Sequence, residues 1–378
     1  MRNIIQEHVL KIAIITTVKH NIGDDFVREG ILYLLDSIKE LSSVELIHKH
    51  IPISAVHGLE KIRSYRVSKA LDPLARLLGS KNRVNNADVL IQSGAPVYWC
   101  HPDGPHCADN EWFDPLIRKR FLPDRRGRKF LNIAGGSCQR YHSDGSEIDS
   151  CPACSAYIRE FFDACDLTIL RDKLAQTMLK KAGREASVLP CTSIFARDRL
   201  GLNALNGEYI VLNFMENGGH FTFGQNIDAN LWRSQFKQIA AVAKKHGRVI
   251  IACHTPDEEN LASLLVPEYE RFLVPDDHVE FMKFYSRAIF GIVNRVHAGF
   301  VMASFGKPVV VIGNDSRALM IENLNLPSIF VGDVEHIGVE SIINKALSRV
   351  SSYSDEIEAI RSRAKSEYTL AIGNALEV

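Results

Sequence analysis

The stretch from Ala288 to Gly313, AIFGIVNRVHAGFVMASFGKPVVVIG, does most to limit what this chain can fold into. AIFGIV is an apolar run of strand length. Asn294, Arg295 and Val296 form a turn, and a helix is expected from about His297 to Ser304. Gly306 stands where a glycine ends a helix, and Pro308 prevents continuation. PVVVI is then a β-branched run suited to a buried parallel strand. This strand–helix–strand unit puts Asn294, Arg295 and His297 beyond the carboxyl end of a strand, at a helix N-terminus. Open α/β sheets take their ligands there. The helix end offers unpaired N–H groups and partial positive charge, so an anion is the natural guest. Arg295 adds a planar, permanently charged fork. His297 adds a group that gains or loses a proton near neutral pH.

The same alternation runs through both halves. Lys11 to Thr17 reads as a buried strand, and Asn21-Ile22-Gly23-Asp24 turns it into a helix reaching about Leu41. Asp24 or Asp25 suits the first turn of that helix, and Phe26, Gly30, Leu34 and Ile38 form its inner stripe. A short helix is expected over Pro73 to Leu78, capped by Asp72. Strands follow at Ala87–Ser93, ending in Gly94, and at Lys129–Ala134, ending in Gly135-Gly136. Leu167 to Asp172 is a strand running into a helix that ends near Gly183, with Arg171 at the junction. A second series begins at Glu208–Phe214 and continues at Arg248–His254. The last helix starts at Ser354, with Ile357, Ile360, Ala364 and Tyr368 on one face. The expected fold is α/β, with two doubly wound Rossmann-like domains facing across a cleft. Their expected bounds are 1–200 and 201–352, with a helix over 353–378 that can cross back onto the first domain.

Composition narrows the function. The chain has 45 Lys+Arg against 45 Asp+Glu, so bulk attraction to nucleic acid or anionic membrane is not expected. No apolar run has the length of a membrane span, and MRNIIQEHVL lacks an apolar core of signal-peptide length. A cytoplasmic setting is expected, with the 8 cysteines as reduced thiols or metal ligands. No GxGxxG follows the first strand and no GxxxxGK[ST] occurs, so neither a dinucleotide fingerprint nor a P-loop is supported.

Residues 95–128 show no convincing period inside this regular pattern, and an insert of that length is usually functional or held by something besides its own core. It carries Cys100 and Cys107, and a CxxC at Cys151 and Cys154 follows in a second irregular piece. Two such pairs can make a tetrahedral structural zinc site; free thiols are the plain alternative. Across the two halves, Arg171 and Arg295 occupy matching strand-to-helix junctions and can clamp one anionic ligand. Asn21, Gly23, Asp24, Gly94, Gly135, Gly136 and Asn294, all at strand ends or first turns, are the candidate substrate contacts.

The motifs NIGDDFVREGI, ADVLIQSGAP, NIAGGS, LRDKLAQTMLKKAG and NRVHAGFVMASFGKPVVVI resemble those of the polysaccharide pyruvyl transferase family. The resemblance implies a GT-B-like fold and transfer of a pyruvyl group from phosphoenolpyruvate to a sugar of a cell-surface or exopolysaccharide precursor, as a ketal, with no cofactor required for the chemistry. It also implies that Arg171 and Arg295 bind the donor and that His297 transfers protons. Gly94-Ala95 replaces a double glycine common in the family, and the Cys/His-bearing insert is not a general feature of it. The alternatives are a GT-B glycosyltransferase with a nucleotide-sugar donor, or a non-catalytic sugar- or nucleotide-binding protein. The acceptor sugar stays open, as does the oligomeric state, a homo-oligomer included.

Overall fold

A computed structural model of the chain describes residues 9–19, 21–78, 81–216 and 227–377. The Gly/Asn-rich loop after the first strand of the second half lies mostly outside them, as does the N-terminal segment. Among the described residues thirteen strands form two sheets. The first holds β1 (Leu10–Thr16), β2 (Leu41–His48), β3 (Val89–Ser93), β4 (Pro96–Tyr98), β5 (Lys129–Ser137), β6 (Leu167–Leu170) and β7 (Ser187–Val188). The second holds β8 (Tyr209–Asn213), β9 (Val249–Ala252), β10 (Glu270–Phe272), β11 (Ala288–Val293), β12 (Val309–Gly313) and β13 (Ser328–Phe330). The helices are α1 (Ile22–Asp36), α2 (Tyr65–Leu77), α3 (Pro152–Ala164), α4 (Lys173–Lys181), α5 (Ala196–Arg199), α6 (Ala229–Lys244), α7 (Pro256–Leu265), α8 (His278–Ser286), α9 (Val296–Ser304), α10 (Val334–Ile337), α11 (Val339–Leu347) and α12 (Tyr353–Leu376). Among the described residues, no helix is long and apolar enough to cross a membrane.

Among the described residues every pairing between these strands is parallel, and the order decides where a ligand can sit. The first sheet runs β2-β1-β3-β5-β6-β7, with β4 paired to β5, so the winding reverses between β1 and β3. The second runs β10-β9-β8-β11-β12-β13, reversing between β8 and β11. Helices diverge at such a reversal and leave a crevice beyond the carboxyl ends of the strands. β12 is buried throughout, and α9 is buried over most of its circumference, as apolar segments on both faces of a parallel sheet must be.

The two domains share a core. One apolar cluster joins Ile14, Phe26, Val27 and Ile31 of the first domain to Phe281, Phe300, Val301 and Ile321 of the second. α1 touches both α8 and α9, and α12 touches α1, α9 and β6. α12 is the strap between them. Ile357, Ile360, Ala364 and Tyr368 are buried, Arg361 Nε donates to the Ile194 carbonyl at 3.1 Å, and the Tyr368 hydroxyl donates to the Pro190 carbonyl at 3.0 Å.

Two expectations fail here. α2 begins at Tyr65, with the Ser64 hydroxyl accepting from the Val67 N–H at 3.4 Å, and Pro73 lies inside it. Asp72 is therefore not a cap; it is buried within α2 and paired with Arg120 and Arg76. Nor is 95–128 without a core. It contains β4 and a wide, π-type helix over Phe113–Phe121 that buries Phe113, Leu116, Ile117, Arg120 and Phe121. With Tyr157, Ile158 and Phe161 of α3 these apolar side chains belong to a second cluster on the outer face of the first sheet. A π-type winding takes more than 3.6 residues per turn, so its stripe escapes a search at the α-helical period.

Gly30 shows how tightly the shared core is packed, since a Cβ there would lie 1.8 Å from the backbone oxygen of Thr192. Gly30→Ala should therefore force α1 away from the 192–195 turn and cost about 3 kcal/mol, the upper end for overpacking. Denaturant unfolding checks this: a midpoint unchanged from wild type would mean the contact is soft.

Candidate functional site

Both sheet reversals open onto one cavity of about 480 Å³ between the domains. From the first domain it is lined by Thr17, Asn21, Gly23 and Asp24 after β1, Lys49 after β2, and Arg171 after β6; from the second by His254, Asn294, Arg295, His297, Asp315 and Arg317. Pro96, Trp99, Glu111 and Trp112 of the insert form the remaining wall.

Arg171 is the central group. It is only 1% exposed, one of the largest fully buried side chains in the molecule. Its Nη1 donates at 3.2 Å to the Gly94 carbonyl and lies 3.2 Å from Nε2 of His297, across the domain boundary. Its Nε has no hydrogen-bond partner, and no carboxylate among the described residues pairs with it. Asp172 is spoken for: it caps α4 by accepting from Ala175 N–H at 2.7 Å, and takes the Ser137 N–H and hydroxyl at 2.8 and 2.6 Å. The Arg171 backbone carbonyl accepts from Asn323 Nδ2 at 2.9 Å, so the second domain holds the junction in place. A buried guanidinium with two neutral partners is an unfinished ion pair, and an anion in the cavity would complete it.

His297 sits in the first turn of α9 with its ring against the α1 turn. A Cβ on Gly23 would come within 2.7 Å of His297 Nδ1, so only glycine leaves room for the imidazole. Since an arginine can only donate, His297 Nε2 accepts, and the ring is neutral with its proton on Nδ1. Burial, reinforced by Arg171 and opposed by Asp24, pushes its pKa down to about 3. Asp24 is held below the ordinary carboxylate value: burial works against its charge, while Lys49, the Thr17 hydroxyl at 2.7 Å and Arg171 favour it.

Arg295 also faces the cavity but is not free. Its Nε donates to Glu258 at 2.6 Å and Nη2 contacts the same oxygen, while its backbone N–H donates to Asn213 Oδ1 at 2.8 Å. Glu258 additionally accepts from His254 N–H at 2.8 Å, so strand ends and the α7 turn lock this arginine in one orientation. Asn294 donates to the Asn314 side chain at 2.7 Å and leaves a buried Oδ1 without a partner.

Of the sequence candidates, Arg171, Arg295, His297, Asn21, Gly23, Asp24 and Asn294 meet in the cavity. Gly94, Gly135 and Gly136 do not line it. They act beneath it: Gly94 supplies the carbonyl that Arg171 grips, and a Cβ on Gly136 would strike Arg171 Nε at 2.6 Å. Of the expected metal ligands, Cys100, Cys151 and Cys154 come together, but Cys107 is not in the set and His106 takes its place. Lys49, Arg317, His254 and Glu258 were not singled out from the sequence. Lys49 and Arg317 are single charges without a motif, and only the closing of the two domains makes them neighbours. Arg317 is paired with Asp315, at 2.7 Å through Nη2.

A family model for polysaccharide pyruvyl transferases matches residues 21–316. No curated protein sequence matches the chain. Solved structures share its fold. Trehalose-6-phosphate synthase OtsA is 10% identical over 97% of this chain and 99% of its own, with a TM-score of 0.54. S. aureus MnaA in complex with UDP is 15% identical over 98% and 97%, with a TM-score of 0.51. The UDP-GlcNAc 2-epimerase of Methanocaldococcus jannaschii is 10% identical over 93% and 99%, with a TM-score of 0.51. The architecture is thus GT-B, and at such identities the likeness extends to the fold alone.

Two outcomes follow from the site's electrostatics. Phosphate or phosphoenolpyruvate at a hundred times its dissociation constant should stabilise the wild type by about 2.7 kcal/mol. Arg171→Met should lose that gain while changing the unliganded stability by less than about 1 kcal/mol, because it removes a buried charge that lacks a counter-ion. Thermal melts with and without the anion decide it: an Arg171→Met protein still stabilised by phosphate would displace Arg171 from the anion site. The second concerns acid. The unfolded chain protonates His297 below about pH 6.5, whereas the folded protein resists until about pH 3. The unfolded state therefore binds the extra proton in this window, and stability falls as the pH drops. His297→Gln should remove up to about 1.4 kcal/mol per pH unit of that slope, and urea titrations at a series of pH values measure it.

Proposed function

Because the chain belongs to the polysaccharide pyruvyl transferase family, we propose that it moves a pyruvyl group from phosphoenolpyruvate onto two hydroxyls of a sugar in a cell-surface or exopolysaccharide precursor, as a ketal. The observation that carries this reading is the buried Arg171, with no carboxylate paired to it, meeting His297 across the domain boundary. A small donor with both a phosphate and a carboxylate suits a cavity holding one unsatisfied guanidinium, one oriented guanidinium at Arg295 and the ammonium of Lys49.

The chemistry follows from the geometry. When the donor anion takes the Arg171 N–H, Nε2 of His297 is released from its hydrogen bond and becomes a free base. It removes the proton of the first sugar hydroxyl, whose oxygen bonds to C2 of the donor, and the methylene carbon gains a proton to become a methyl. The C2–O bond to phosphate then breaks. The second hydroxyl adds to C2, and its proton leaves with the phosphate. Two protons lost by the sugar are thus one on the methyl and one on inorganic phosphate. Arg171 and Lys49 stabilise the departing phosphate, and Arg295, oriented by Glu258, holds the carboxylate. His297 is neutral before the donor arrives, the state a general base needs. Half-buried Trp99, on the first-domain wall of the cavity, is the aromatic side chain placed to meet the sugar.

His297→Gln should lower turnover by about a thousandfold while leaving donor affinity within a fewfold of wild type. Phosphate release from phosphoenolpyruvate with a panel of glycan acceptors, read with product mass, is the assay. Turnover by the variant near wild type would remove His297 from the mechanism, and release of nucleoside diphosphate from a nucleotide-sugar would replace the donor.

A further inference from the structure

We propose that Cys100, His106, Cys151 and Cys154 hold one structural zinc ion, which fastens the hairpin behind the cleft wall to the start of α3. The four ligand atoms lie within 4.8 Å of one another. The sulfurs of Cys100, Cys151 and Cys154 stand 3.6, 3.7 and 3.6 Å from the same nitrogen, Nδ1 of His106. Hydrogen bonding does not account for this, because an imidazole nitrogen has one proton or one lone pair and cannot serve three thiols at once. A tetrahedral ion does. With Zn–S about 2.3 Å and Zn–N about 2.05 Å, the sulfur-to-nitrogen edge of a regular tetrahedron is about 3.55 Å. Three edges within 0.2 Å of that length, all from one vertex, outline the polyhedron. Three sulfurs and one imidazole select zinc over the harder divalent ions, and four protein ligands leave no open position for catalysis.

Local backbone explains why His106 and not Cys107 completes the set. Cys100 and His106 face each other across an antiparallel bridge, and Cys107 N–H donates to the Trp99 carbonyl at 3.0 Å. Directly opposed residues point to the same side, and their chain neighbours to the other. Cys107, fully buried in the apolar cluster beside Cys154, accordingly stays outside the group of four. Cys151 precedes α3 and Cys154 lies in its first turn, where the N-terminal dipole favours thiolates.

The position gives the ion a purpose that the insert's apolar core does not serve. Cys100 N–H donates to Gln139 Oε1 at 2.8 Å and its carbonyl accepts from Gln139 Nε2 at 2.9 Å. Gln139 in turn binds Ser316 of the second domain through its N–H at 2.9 Å. The ion would thus sit one residue from Trp99, which lines the cavity, and two steps from the opposite domain.

Untagged protein purified without chelator should contain about one zinc per chain. Cys154→Ser and His106→Ala should lose more than about nine-tenths of it, and Cys107→Ser should keep it. A strong chelator should lower the melting temperature of wild type and of Cys107→Ser alike. Should the ligand variants fail to fold, cobalt-substituted wild type and Cys107→Ser still decide the matter, since thiolate-to-cobalt absorption and tetrahedral d–d bands must appear in both. Less than about a tenth of an equivalent of zinc with chelator-insensitive melting, or metal lost from Cys107→Ser and retained by His106→Ala, overturns the assignment. Metal content is read without turnover, so a failure here leaves the donor reading standing.

Discussion

The site depends on a positive charge buried without a carboxylate in contact with it. Burying an ionised group costs several kcal/mol unless a partner repays it. Most buried or half-buried arginines here have that partner: Arg28 has Asp25, Arg120 has Asp72, Arg361 has Asp198 and Glu358. Arg171 has a carbonyl and an imidazole. The rest of the fold bears this cost because the surroundings over-determine the side chain. Gly136 leaves it a passage, Asp172 anchors the following helix, and Asn323 of the other domain grips its carbonyl. The charge stays in place when the cavity is empty, which is what a preorganised anion site requires.

Burial first, and then the same positive field, sets the state of His297. A histidine at a helix N-terminus, near Arg171, Arg295 and Arg317, is kept neutral; Asp24 only softens the effect. Any dianion entering the cavity reverses part of that field. The imidazole is then better able to hold a proton when the donor is present than when it is absent. In the mechanism proposed above, donor binding and proton transfer would be coupled through one pair of atoms, Arg171 Nη1 and His297 Nε2.

How much of this was legible in the sequence depended on whether the signal was local. The Ala288–Gly313 unit was readable because strand, turn, glycine stop and second strand are consecutive, and β11, α9 and β12 lie there. Arg171 and Arg295 could be paired because both sit at strand-to-helix junctions of a repeated pattern. Gly23 was read as a candidate substrate contact, and the group that approaches it in the structure is the His297 ring. What failed was non-local or of unusual period. Lys49, Arg317 and Glu258 carry no motif, and their meaning comes from the packing of two domains. The Phe113–Phe121 helix winds too widely for an α-helical search. Cysteine spacing suggested Cys107, but spacing does not say which side of a hairpin a residue faces; the Cys100–His106 bridge does.

The division of labour between the two cleft arginines follows from their partners. Arg295 is held on two sides, by Glu258 and by Asn213 through its backbone, so its charge is largely neutralised and its direction set. Such a group orients a ligand more than it attracts one. Arg171 has the opposite balance: no carboxylate among the described residues pairs with it, and Asp24 acts on it only through the field. On the proposed reading attraction would centre on the first domain and orientation on the second, as a donor with two unlike anionic groups would require. The shared apolar core makes this workable, because α1, α8, α9 and α12 pack as one body and hold the guanidinium of one domain at hydrogen-bonding distance from the imidazole of the other. Were the domains joined only by a hinge, the spacing between those groups would vary with every opening, and a buried charge poised for a small anion would spend its time solvated instead.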